Sequence, residues 1–117
     1  MQYLLMIYSA EDKGPQPGTD EFMSMIGDYQ KFTDEVQNNG ALIGGEPLES
    51  ITTATTVRIR NNEASITDGP FAETKEALGG YYLLECKDID EAIAYAKKIP
   101  TVHYGSIEIR PIMNLPG

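Results

Sequence analysis

Tyr3-Leu4-Leu5-Met6-Ile7-Tyr8 is the stretch that decides the architecture. Successive residues of an extended strand point to opposite faces. Tyr3, Leu5 and Ile7 therefore share one face, and Leu4, Met6 and Tyr8 the other. Both faces are apolar, so this strand needs cover above and below. Tyr81-Tyr82-Leu83-Leu84-Glu85-Cys86 is also mainly apolar on both parities and reads as a second such strand.

Working outward, residues 2 to 8 form the first strand, and residues 9 to 18, with Pro15, Pro17 and Gly18, form a loop. Thr19 caps a helix whose first turn holds Asp20 and Glu21, the favourable sign at a helix N-terminus. Phe22, Met25, Ile26, Tyr29, Phe32, Thr33 and Val36 recur at three- and four-residue spacing as one apolar stripe, and Gly40 is the expected stop. A strand follows at Ala41 to Gly45. Residues 55 to 60 and 63 to 67 flank Asn61-Asn62 as a hairpin. After the Tyr81 to Cys86 strand, Asp88 and Glu91 make a capping box. Ile89, Ile93, Ala96 and Ile99 are expected to face inward, Pro100 ends the helix, and Ser106 to Ile112 is the last strand.

Setting the hairpin aside, the order is βαββαβ. That is the ferredoxin-like plan, an α+β fold with both helices on one face of an antiparallel sheet. Residues 1–117 read as a single domain. Two helices cover one sheet face only. The other would be a larger apolar patch than monomers usually expose, so a second copy is expected to bury it as a two-fold homodimer. The competing expectation is that the hairpin folds back over the sheet.

Composition narrows the partners. The 18 acidic and 9 basic residues give a net charge of −9, which supplies no positive footprint for nucleic acid and disfavours anionic membranes. No run approaches the roughly 18 apolar residues that cross a bilayer, and Tyr3 to Tyr8 lacks the flanks of a signal peptide. The single cysteine, Cys86, fits a cytoplasmic protein and reads as a buried strand residue rather than a nucleophile.

Several residues are candidates for chemistry. Asp68, before Gly69 and Pro70, is either turn chemistry or a carboxylate poised as a general base. Phe71 reads as a packing anchor. Glu73, Lys75 and Glu76 form a charge cluster, in which a protonated Lys75 would hold an anionic group. Ile107 and Ile109 belong to the helix-covered face of the last strand; Ser106, Glu108 and Arg110 face the space between subunits. There Arg110 suits a carboxylate, or simply neutralises Glu108. His103 is the one side chain whose ordinary pKa lies near neutrality. One His and one Cys give no usual metal set, and no phosphate-cradling glycine loop is present, so neither metal nor cofactor is expected. A small-molecule ligand between subunits, with Asp68 and His103 as acid–base groups, stands beside a non-catalytic regulatory module.

The run Asp68-Gly69-Pro70-Phe71-Ala72-Glu73-Thr74-Lys75-Glu76-Ala77-Leu78-Gly79-Gly80-Tyr81 resembles the signature of the DGPF-type branch of YCII-related proteins. The opening strand, the glycines up to Gly45-Glu46, Ala54-Thr55-Thr56-Val57-Arg58 and Gly105 to Pro111 extend that resemblance along the chain. It implies a dimeric α+β barrel with a ferredoxin-like protomer. Some relatives resemble accessory partners of alternative sigma factors. The shorter YCII branch has a His–Asp pair regarded as an active site; this chain has only His103 and no histidine near the first helix.

Overall fold

The computed structural model describes residues 1–116. Its elements run β1 (Gln2–Ser9), α1 (Asp20–Asn38), β2 (Leu42–Pro47), β3 (Thr55–Arg60), β4 (Glu63–Asp68), β5 (Ala77–Glu85), α2 (Ile89–Ala96) and β6 (Ser106–Pro111). β2, β5, β1 and β6 form one antiparallel sheet in that spatial order, while β3 and β4 form a separate two-stranded ribbon. This is the expected α+β plan. β1 pairs with β5 on one side and β6 on the other, which is why its two apolar faces shape the whole domain.

Both helices start where the sequence places them. Thr19 accepts the amide hydrogen of Phe22, and Asp88 accepts that of Glu91, each relieving a donor that a helix start leaves unpaired. Gly40, at φ +74°, turns the chain out of α1 into β2. Tyr3, Leu5 and Ile7 of β1 and Leu84 of β5 are buried against Phe32 and Val36 of α1 and Ala92 and Ala96 of α2. Ile107 and Ile109 pack against that core from β6. Cys86 is buried just beyond β5, and burial pushes its thiol pKa up, so it packs as a small apolar group.

Four expectations need correction. β5 begins at Ala77, not Tyr81: Ala77 and Leu78 pair with Ser9 and Tyr8. Gly79-Gly80 hides this from an apolar pattern because glycine has no side chain to show a period. Pairing with β1 continues the strand, and glycine suits position 80 because a Cβ there would crowd the Glu46 carbonyl oxygen at 3.0 Å. β2 likewise runs on to Pro47, with a bulge at Ile43. On α2 the buried stripe is Ala92, Ala96 and then Ile99, whereas Ile89 and Ile93 are exposed. Small alanines let that helix approach the sheet closely, and the larger isoleucines take the outer flank. Pro100 opens a 3-10 turn at Pro100–His103 after α2 has ended at Ala96.

The ribbon stands away from the core. Asn61 and Asn62 both adopt positive φ, 53° and 63°, the two-residue turn that matches strand twist. Its residues are almost all exposed, including Val57, Ile59 and Ile66. The ribbon therefore does not roof the sheet. The molecule is a plate of 47 × 47 × 18 Å with a radius of gyration of 16.3 Å, where a compact chain of this length has about 13 Å.

Candidate functional site

The sheet face away from the helices has three rows of side chains across it. Leu4 sits between Leu83 and Arg110, Met6 between Tyr81 and Glu108, and Tyr8 between Leu78 and Ser106. Leu4, Met6, Tyr8, Leu78, Tyr81 and Leu83 are all half-buried by one another, with no helix over them. The face is thus apolar over β5 and β1 and polar along β6. Period two produces that split: it sends Ile107 and Ile109 to the helices and leaves Ser106, Glu108 and Arg110 on the open side.

The polar strip is internally bonded. Arg110 Nε donates to Glu108 Oε2 at 2.7 Å, and Ser106 Oγ donates to Glu76 Oε1 at 2.7 Å. The Glu108 carboxylate, first through that hydrogen bond and then through its charge, pushes the Arg110 pKa further up. Arg110 remains 72% exposed, so its outer N–H groups are reachable by a ligand. A shallow depression of about 500 Å³ is lined by Tyr8, Glu76, Ser106, Ile107 and Glu108. Two carboxylates, two hydroxyls and a neighbouring guanidinium can bind a small hydroxylated or carboxylated molecule and exchange a proton with it.

The other sequence candidates lie elsewhere. Asp68 ends β4 opposite Thr55 and is exposed. The segment after it is held by backbone chemistry. Gly69, at φ +101°, donates its amide hydrogen to Ala54 O, Thr56 Oγ1 donates to Gly69 O, and Arg58 Nη2 donates to Phe71 O. Phe71 is 76% exposed, which corrects its reading as a packing anchor. Glu73 and Lys75 are exposed in the same segment. Of that charge cluster, Glu76 alone lines the depression, because it directly precedes β5 and so arrives beside the start of β6.

His103 opens on the helix side. It lines a cleft of about 680 Å³ with Met25, Phe32, Lys98, Pro100 and Tyr104 among others, away from Glu108. Beneath this cleft Tyr29 and the buried Thr101 share a hydrogen bond, and Tyr104 donates to Met25 Sδ. Burial, as the largest cause, pushes the Tyr29 phenol up to about 12, so it is neutral at physiological pH. One protomer therefore brings Glu108 and Arg110 together with Glu76, and keeps Asp68 and His103 apart from them.

Sequence reasoning did not single out Tyr8. Its signal was available, since period two puts Tyr8 on the Met6 face. The Tyr29–Thr101 contact had no such signal, because it joins residues 72 positions apart.

Fold and site together define an α+β protein of ferredoxin-like topology with one face of its sheet left open. The model of the YCII-related domain matches residues 1–116. The chain belongs to the YCII-related family. It is 32% identical over 114 residues to an uncharacterised protein of Rhizobium meliloti (strain 1021), covering 96% of this chain and 92% of that one. Among solved structures it is similar in fold to a 5-chloro-2-hydroxyhydroquinone dehydrochlorinase from Burkholderia phenoliruptrix AC1100, in complex with 2,5-dihydroxybenzoquinone. That likeness has a TM-score of 0.51 and 13% identity, and covers 97% of this chain and 94% of the other.

Proposed function

We propose that this protein is a cytoplasmic small-molecule-binding domain of the DGPF-type branch, working as a two-fold dimer. In the dimer the open sheet faces meet, and the polar strip along β6 becomes the wall of a shared pocket. The observation that supports the reading is the placement of that strip. Glu76, Ser106, Glu108 and Arg110 border an apolar face that the chain's own helices and ribbon leave uncovered. Pairing would remove water from the face and strengthen each charge-assisted contact there. Glu76 and Glu108 then supply a base for cofactor-free proton transfer, and Arg110 holds an anionic substrate group. The ligand of the dehydrochlorinase, a hydroxylated quinone ring, sets the size of the first probes.

Two measurements test this. Light scattering at micromolar concentration should give twice the chain mass of 12.9 kDa; a clean monomer removes the shared pocket. A thermal-shift screen of single-ring hydroxylated and carboxylated compounds should raise the wild-type Tm by several degrees with a hit at about 100 times its Kd. Arg110→Ala and Glu108→Gln should abolish most of that shift, while Asp68→Asn keeps it as a turn residue. Equal shifts in all four proteins would leave the regulatory-module reading in its place.

A further inference from the structure

The β3–β4 ribbon has two unlike faces. Val57 pairs with Ile66 and Ile59 with Ala64, so these four share one side. Thr56 with Thr67, Arg58 with Ser65 and Arg60 with Glu63 share the other. A ribbon bathed in water on both sides has no physical reason to sort its residues this way; sorting is the mark of one buried face. Yet Val57, Ile59 and Ile66 are 63%, 65% and 73% exposed. An isolated two-stranded hairpin is also marginal in water and needs further packing.

We propose that this ribbon is an exchange arm, laying its Val57, Ile59, Ala64 and Ile66 face on a second copy of this chain. The inference rests on the pairing in the preceding section and deepens it. Area favours a second copy as the occupant. The chain exposes 8350 Å², about 2000 Å² more than the roughly 6300 Å² of a folded monomer of this mass. A stable pair covers about 800 Å² on each partner. The arm's two strands add roughly half as much face again to the four of the open sheet. Two-fold symmetry uses this addition twice, because each copy gives an arm and receives one.

The arm also bears on the pocket. Its exit segment runs from Asp68 to Glu76, where Glu76 accepts the hydrogen bond of Ser106. Seating the arm on the partner fixes the far end of the segment that borders the β6 strip. Dimer formation and pocket order are thereby coupled through one stretch of chain.

The test is sedimentation equilibrium over a dilution series, with amide exchange of residues 55–68 followed in parallel. Ile59→Ser and Ile66→Ser alter side chains that are 65% and 73% exposed on their own protomer, so the fold should survive. Each is expected to raise the dimer Kd at least tenfold, and the pair about a hundredfold, from the apolar surface each removes. Protection of the arm amides should fall with dimer content. Ser65→Ala, on the polar side, should leave the Kd unchanged. A wild-type dimer whose Kd ignores both isoleucine changes overturns the arm and leaves the pairing intact. A wild-type monomer overturns both.

Discussion

The two faces of one sheet were written in nearly the same alphabet and met different fates. Tyr3, Leu5, Ile7 and Leu84 are buried under two helices, with Leu5 and Leu84 at 0% exposure. Leu4, Met6, Tyr81 and Leu83, alternating with them along the same strands, are half-buried without a roof. The difference lies in the supply of partners and not in the strands. An apolar strand residue states a demand for burial; the number of covering elements decides where the demand is met.

The largest expected effect cuts at this contrast directly. Leu84→Ala, under the helices, should lower stability by about 2–5 kcal/mol because it removes buried methyl groups and leaves a cavity. Leu83→Ala, one residue along and facing the other way, should cost the isolated protomer well under half of that. Its main effect should appear in the dimer Kd. Denaturant unfolding of both variants, at high and low protein concentration, separates the two faces. Equal losses independent of concentration would break the comparison.

A smaller effect should appear at high pH. Tyr29 is raised to about 12, with burial as the first cause, and Tyr82 beside Thr33 is raised for the same reason. In the unfolded chain a phenol ionises near its ordinary value of 10.0. The folded state therefore holds protons that the unfolded state has released between these two values, and stability must fall with rising pH there. Below pH 10 the contribution is complete. Thermal melts from pH 9 to 11.5 should show a steeper fall for wild type than for Tyr29→Phe; parallel curves would place Tyr29 in water. Tyr29 and Tyr82 both pack against the helix-covered core, so this test reports on that side of the sheet.

The smallest effect belongs to the outer flank of α2. Ile93→Ala, at 39% exposure, should change stability by about 1 kcal/mol or less. Ala92→Leu, on the contact side, should cost about 1–3 kcal/mol by overpacking. Chemical denaturation ranks the pair, and a reversed ranking would return Ile93 to the core.

The strand and helix order, both caps and the hairpin turn were legible because each is local. A capping side chain reaches three residues, a turn spans two, and an alternating strand declares its faces within five or six. The start of β5 was not legible, since Gly79-Gly80 has no side chains and only pairing with β1 extends the strand. The α2 stripe was misread for a related reason. Size in sequence suggested that Ile89 and Ile93 pack inward, but close helix–sheet approach rewards alanine.

The site divides in the same way. Glu108, Arg110 and Ser106 share a face by period two alone, and the sequence determined that much. Only the tertiary structure joined Glu76 to Ser106, sent His103 to the helix side and left Asp68 at the foot of the ribbon. Local rules act through bonds and neighbours a few residues apart. Which distant segments meet depends on how six strands and two helices share a limited amount of cover, and no single stretch of the chain contains that information.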